Sequence, residues 1–301
     1  EGTSLMGVFT VRTPEDAIGA RQYAEEHGCR RAVVVGGGFI GLEVAENLME
    51  KGISVTVIDM AAQPLSGIFD VEMAEYIRRQ LQAKGMRILT GTALKCIKGT
   101  ASVSGAETGA GEIPADMVIL AAGIRPATKF LCGTGLEMEN GCIVTDECQR
   151  TNMPDIYAAG DCALVKNRIT SKRQWSAMGS TANITGRALA LNISGEKTIY
   201  AGCLGTGVAK LAKDFNAART GLTEEQAKRE GYDVISAVCV GDDKAHYYPD
   251  ASLFVTKLIA DRSTHRLLGM QVIGRGSVDK MADIAVTGIS MGCLAEDFIT
   301  M

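Results

Sequence analysis

The sequence predicts an α/β protein built on a doubly wound, Rossmann-like parallel sheet. Three observations predict it. Short apolar runs alternate with longer helical stretches. Arg31–Val35 and residues 54–59 and 86–89 read as strands, and residues 39–51 and 70–84 read as the helices between them. Strands buried on both faces appear as near-continuous Val/Ile runs, and their alternation with helices builds a parallel sheet. Second, Gly36, Gly38 and Gly41 fall where the first of these strands meets its helix. Third, after Gly195 the alternation gives way to longer strands near residues 234–240, 252–260 and 267–273, with a closing helix near Val278–Met291. That is the pattern of a separate antiparallel α+β unit.

The remaining elements follow from local signals. Thr13 as N-cap and Pro14 at the first helical position open a helix that runs to about His27. Residues 93–114 are small, polar and Gly-rich, and read as two or three short antiparallel strands; residues 117–121 return to a buried strand. Residues 141–160 hold two more short strands, one of them at 156–159, and a helix spans about residues 176–192. Thr223 with Gln226 three residues on makes a capping box for a helix that runs to about Glu230.

Composition narrows the function classes. A length of 301 residues suggests two domains and a smaller third piece. The net charge is −4 and no polybasic run appears, which argues against nucleic acid or an anionic membrane as partner. No apolar run reaches spanning length and no signal-peptide pattern opens the chain, so the sequence reads as cytoplasmic. The cysteines are Cys29, Cys96, Cys132, Cys142, Cys148, Cys162, Cys203, Cys239 and Cys293. None forms CxxC or CxxxxC, so neither a zinc ribbon nor a redox pair has local support, and no metal is expected. The scattered set reads as buried thiols in a reducing compartment.

The strongest motif is GxGxxG at Gly36, Gly38 and Gly41. Gly36 permits the tight turn, Gly38 lets a pyrophosphate touch the backbone, and Gly41 lets helix and strand approach. The start of the helix, at Phe39 and Ile40, supplies free N–H donors and partial positive charge. Asp59 ends the next strand, eighteen residues after Gly41, where an acid accepts the hydroxyls of an adenosine ribose. It would repel a 2′-phosphate, and Met60-Ala61-Ala62-Gln63 includes no cation to hold one. NADH is therefore expected over NADPH, although spacing alone would suit FAD equally well.

Further runs carry a family resemblance. Ala121-Ala122-Gly123-Ile124-Arg125-Pro126 resembles the second glycine motif of two-dinucleotide-binding flavoproteins, and the run from Thr151 to Ala163 resembles their flavin motif. Ala182-Asn183 with Gly186-Arg187 resembles the helix whose start meets the flavin ring. Arg219-Thr220-Gly221-Leu222-Thr223-Glu224, Tyr247-Tyr248-Pro249 and Val278-Asp279-Lys280 resemble the dimerisation domain. The set is similar to the pyridine nucleotide–disulfide oxidoreductases, in the branch of NADH oxidases, NADH peroxidases and coenzyme A–disulfide reductases.

The resemblance implies a Rossmann-like two-dinucleotide-binding flavoprotein fold with a C-terminal α+β dimerisation domain. Residues 1–126 would bind NAD(H), residues 127–197 would form the second part of the FAD-binding domain, and residues 198–301 the dimerisation domain. It implies an enzyme that passes hydride from NADH through FAD to a disulfide, peroxide or oxygen acceptor, and works as a homodimer. Gly123, Gly160, Asp161, Met178 and Gly179 would hold the flavin, with Asp161 on its ribityl chain. Glu43 lies near the nicotinamide in the family, or else matches charge at the helix start. Tyr247 and Tyr248 either reach the partner's thiol substrate or pack in the dimer sheet. The family's first flavin fingerprint and redox cysteine fall before Glu1, so the catalytic residues are not assigned, and this chain alone is expected to bind NADH without retaining flavin. Ile184 and Thr185 differ from the Arg-Gln usual in that helix. The alternatives are a ferredoxin- or rubredoxin-type NADH reductase and a non-catalytic NADH-binding dimer module.

Overall fold

The computed structural model describes residues 1–298; the last three residues of the expected 198–301 segment lie outside them. The first part alternates as expected: β1 (Val8–Thr10), α1 (Pro14–Glu26), β2 (Arg31–Val35), α2 (Phe39–Glu50), β3 (Ser54–Ile58), α3 (Val71–Ala83) and β4 (Arg87–Leu89). An antiparallel trio follows, β5 (Leu94–Gly99), β6 (Val103–Thr108) and β7 (Gly111–Pro114), and then β8 (Met117–Leu120).

The parallel sheet has the order β1-β8-β2-β3-β4. Its three helical crossovers, β1 to β2, β2 to β3 and β3 to β4, step the same way, so right-handed connections put all three helices on one face, while the return from β4 to β8 runs the other way through the antiparallel trio. Alternate residues of each strand serve the two faces. Val34 and Val57 pack under the helices with Leu42, Ala45, Met73 and Ile77. Val33, Ile58 and Val118 face the antiparallel trio through Ile97, Ala106 and Ile113. The sheet is thus buried on both sides, which is why its strands lack polar alternation.

The middle segment is sparse. It holds two short hairpins, β9 (Met138–Glu139) with β10 (Cys142–Ile143) and β11 (Leu164–Lys166) with β12 (Arg173–Trp175), and helix α4 (Gly179–Ile193). The strand expected at residues 156–159 does not form. Asp155 adopts a left-handed conformation (φ 60°) and turns the chain back, leaving only a bridge between Tyr157 and Arg150. A strand exists only where a neighbour takes its N–H and C=O groups along its length.

The last part contains β13 (Gly207–Ala212), β14 (Phe215–Gly221), α5 (Glu224–Arg229), β15 (Val234–Asp242), β16 (Leu253–Asp261), β17 (Leu267–Gly274) and α6 (Val278–Met291). They form an antiparallel sheet in the order β13-β14-β17-β16-β15. Ala209, Leu211, Phe215 and Ala217 enter the same core as Leu42 and Ala45. Lys210 reinforces that contact by pairing with Glu46 at 2.7 Å and Glu50 at 3.3 Å.

A second contact between the parts is polar. Gly207, Arg219, Gln271 and Lys257 lie directly opposite one another on β13, β14, β17 and β16, so they form one rung on one face. Asp70, at the N-cap of α3, reaches this rung: its carboxylate accepts from Gln271 at 2.6 Å and pairs with Lys257 at 3.1 Å. Lys257 is 1% exposed and also meets Glu72 and Glu224. Burial opposes its charge, but the hydrogen bonds to Glu224, Glu72 and Asp70 outweigh that and hold its pKa above the usual lysine range. Among the described residues no helix is long and apolar enough to cross a membrane.

Candidate nucleotide and flavin site

The glycine turn has the geometry its spacing implies. Gly36 has φ +112°, and a Cβ there would lie 2.3 Å from the Ala121 carbonyl oxygen. A Cβ on Gly41 would lie 1.9 Å from the Gly36 carbonyl oxygen, so the helix can start this close to the turn only as glycine. Gly38 differs: a Cβ there would meet nothing within 4 Å. The space in front of Gly38 is therefore open to a ligand. Gly38 is also the N-cap of α2 and offers no side-chain cap, so the first-turn N–H groups have no local acceptor. These features fit a pyrophosphate.

Asp59 stands beside this turn. One carboxylate oxygen accepts from the Gly37 N–H at 2.6 Å and the other from the Ala61 N–H at 2.8 Å. Each oxygen keeps a second lone pair for a hydroxyl. The bonds fix the carboxylate at the end of β3 and tie it to the glycine turn.

The residues after the turn diverge. Ile40 and Glu43 line a cavity of about 820 Å3 between α1 and α2. Phe39 lines another, of about 570 Å3, with Trp175, Met178 and residues of the C-terminal sheet. Glu43 is half-buried; burial raises its pKa above the usual carboxylate range, and Glu46 adds to the effect.

The expected flavin residues fall at two places. Gly123 follows β8 with φ +100° and open space around it. Gly160 and Asp161 form a short turn against α4, where the Gly160 N–H donates to the Thr185 hydroxyl at 3.2 Å. Thr185 is fully buried and donates to the Thr181 carbonyl, so this departure from the family's usual residue has a structural use. The Trp175 indole donates to the Asp161 carbonyl oxygen at 2.7 Å, while the Asp161 side chain faces solvent. Met178 is the N-cap of α4 and Gly179 its first residue, again without a side-chain cap. An exposed carboxylate next to an open helix start suits the hydroxyl-rich end of a flavin.

Tyr247 and Tyr248 stack at 5.2 Å in the loop between β15 and β16, and Tyr247 is 75% exposed. They line neither cavity. Cys162 donates its thiol to the Ala159 carbonyl, and burial pushes the neighbouring Cys142 thiol up, which fits neither with an activated nucleophile. Sequence reasoning gave no role to Trp175, Arg219 or Lys257. The signal for the last two was register, since a polar residue recurring opposite another on adjacent strands is visible only once the sheet order is known.

The family model described as "Pyridine nucleotide-disulphide oxidoreductase" matches residues 1–182, and its "dimerisation domain" matches residues 211–301. The chain is 36% identical over 298 residues to the NAD(P)H coenzyme A polysulfide/persulfide reductase of Pyrococcus horikoshii, covering 99% of this chain and 66% of that protein. It is 32% identical over 301 residues to an NADH oxidase of Methanocaldococcus jannaschii, covering 100% of this chain and 67% of that one. The solved NAD-dependent persulfide reductase from A. fulgidus superposes with a TM-score of 0.95 at 35% identity, covering 100% of this chain and 56% of that one. The chain thus spans about two thirds or less of the length of these relatives. With models of that family matching both ends of the chain, it belongs to the pyridine nucleotide–disulphide oxidoreductase family.

Proposed function

We propose that this chain serves an NADH-dependent flavoprotein oxidoreductase of the cytoplasm, which passes hydride from NADH through FAD to a disulfide, persulfide, peroxide or oxygen acceptor. The open cradle at Gly38, flanked by Asp59, carries this reading. The names of the relatives, persulfide reductases and an NADH oxidase, support persulfide and oxygen among these acceptors. Gly36, Gly38, Phe39, Ile40 and Gly41 would hold the pyrophosphate of NADH, with Asp59 on the adenosine ribose and Glu43 toward the nicotinamide end. Asp161, Gly160, Gly123, Met178 and Gly179 would hold FAD, which supplies the two-electron chemistry when bound. The start of α4 would favour negative charge on the bound ring. Residues 1–126, 127–197 and 198–301 would act as nucleotide, flavin and dimerisation units. The last would pair two chains and present Tyr247 and Tyr248 to the partner.

The test is nucleotide preference. Asp59 would repel a 2′-phosphate, so NADH should bind about tenfold tighter than NADPH, ~1.4 kcal/mol. Fluorescence titration measures both, and Asp59→Ala should narrow the gap. Coincident curves for the two nucleotides in the unaltered chain would reject the role of Asp59.

A further inference from the structure

We propose that the cavity over Arg219 is a binding subsite for a phosphate-type oxyanion, with the Arg219 guanidinium as its receptor. Arg219 stands on β14, between Gly207 on β13 and Gln271 on β17. Its side chain lines the cavity of about 570 Å3 together with Phe39, Trp175, Met178, Gly205 and Gly207. One terminal nitrogen donates to the Gly221 carbonyl oxygen. Its Nε is buried and has no hydrogen-bond partner. Burial lowers the Arg219 pKa to about 10, with Asp70 opposing the shift, so the group is still charged at neutral pH.

Among the described residues the charge has no counter-ion. Among the described residues no carboxylate lies within 4.0 Å of the guanidinium. Asp70 acts on it only at longer range, and the Asp70 carboxylate is already engaged by Lys257, Gln271 and the Glu224 N–H. The other cations of the cavity wall have acids of their own. Lys172 pairs with Glu230 at 2.7 Å, Arg173 with Glu137 at 3.4 Å and Arg229 with Glu225 at 3.7 Å. Taking a cation out of water without a partner is costly, and an anion that meets its free donors offsets that cost. A guanidinium is a planar fork of donors, which matches two oxygens of a tetrahedral anion.

The shape of the wall agrees. A Cβ on Gly205 would come to 3.7 Å from a terminal nitrogen of Arg219, and one on Gly207 to 3.2 Å from the Phe39 ring. Glycine at 205 leaves the space beside the guanidinium clear, and glycine at 207 makes room for the Phe39 ring that lines the same cavity. The anion can be free in solution or be the phosphate of a nucleotide, since Phe39 directly follows Gly38. The chemistry recognised is the same in both cases, and the inference does not depend on the nucleotide reading.

Trp175 is the one tryptophan of the chain and lines the same cavity, so its fluorescence reports on the site. Iodide, an anion, and acrylamide, a neutral molecule, are the quenchers, and inorganic phosphate is the probe. Phosphate should protect Trp175 from iodide along a saturating curve and leave acrylamide quenching unchanged. Arg219→Met should abolish the protection, and Arg219→Lys should keep the charge but weaken phosphate by about tenfold, through loss of the second donor. If oxidised NAD weakens phosphate protection competitively, the anion is the nucleotide's; if the two act independently, it is a free one. Absence of saturable protection in the unaltered chain overturns the proposal without recourse to any variant. Equal protection in the unaltered chain and in a folded Arg219→Met overturns the role of Arg219.

Discussion

Helices α1 and α5 close their own first turns, whereas α2 and α4 leave theirs open. In α1 the Asp16 N–H donates to the Thr13 hydroxyl at 3.3 Å, and the Asp16 carboxylate accepts from the Thr13 N–H at 3.1 Å. In α5, Thr223 and Gln226 make the same reciprocal pair at 3.1 and 3.0 Å. The starts of α2 and α4, at Gly38 and Met178, have no such cap. Helix α3 is intermediate: its cap residue, Asp70, turns outward to Gln271 and Lys257. Free first-turn N–H groups need an acceptor from somewhere. The self-capped helices act as scaffold and the outward cap joins two parts of the molecule; α6, at Ser277, also starts without a side-chain cap, so an open start alone does not mark a ligand, but those of α2 and α4 lie where the candidate ligands belong.

The sharpest way to break this comparison is within α2 itself. Gly41→Ala should cost about 3 kcal/mol of stability, because its Cβ would lie 1.9 Å from a backbone oxygen that cannot retreat cheaply. Thermal unfolding would show it as a large fall in Tm. Gly38→Ala should leave Tm nearly unchanged, since its Cβ enters open space and its φ of −79° suits any residue. It should instead weaken NADH by about tenfold or more, ~1.4 kcal/mol, by filling the cradle. Normal NADH affinity in Gly38→Ala would mean that the open start of α2 is not the pyrophosphate site.

The scaffold side predicts the opposite pairing of effects. Thr223→Ala should cost ~1 kcal/mol of stability, the usual loss of an N-cap, and leave NADH affinity alone. The neighbouring Glu224 adds a pH signature. Hydrogen bonds from Lys228, Lys257 and Ser236 lower its pKa from 4.5 to about 2. Its folded-state pKa is depressed, so its contribution is complete above the ordinary value and is lost as pH falls from 4.5 through about 2. Denaturant unfolding of Glu224→Gln beside the unaltered chain should show a gap at neutral pH that closes over this window.

These contrasts also mark what the sequence discloses. The parallel sheet was legible because Arg31–Val35 and its neighbours are unbroken apolar runs ended by glycines. Gly36, Gly41 and Asp59 were legible because their roles are local, set by one turn and the end of one strand. The hairpin β13–β14 was not named, since its Gly and Ala side chains carry little strand signal. Residues 156–159 read as a strand on local pattern, but pairing is a property of neighbours. The polar rung was hidden for the same reason. Lys257 and Asp70 stand far apart in the chain, and only the order β14-β17-β16 brings Arg219, Gln271 and Lys257 into line.

The smallest expected effect concerns Glu43, which sits just inside the open start of α2 yet faces the cavity toward α1. Burial and the like charge of Glu46, three residues on, raise its pKa. Lys210 pairs with Glu46 and Glu50, which leaves Glu43 without that cation. A raised carboxylate pKa means that the folded chain holds this proton to higher pH than the unfolded chain does. Stability is therefore lost as pH rises through the ordinary value to the raised one, and the loss persists at neutral pH. Glu43→Gln cannot ionise, so it should be more stable than the unaltered chain by only a few tenths of a kcal/mol, ~0.5 at most, because the group is partly exposed and screened. Urea unfolding should show this gain near neutral pH and none at a pH of about 3, where both forms are uncharged. The same variant tests whether the comparison between open and closed starts reaches past the first turn. If Glu43 serves only charge balance on α2, NADH affinity stays unchanged while stability rises. If it also contacts the nicotinamide end, affinity falls in the same variant, and the ligand must then reach the α1-facing side of the helix as well as the cradle at Gly38.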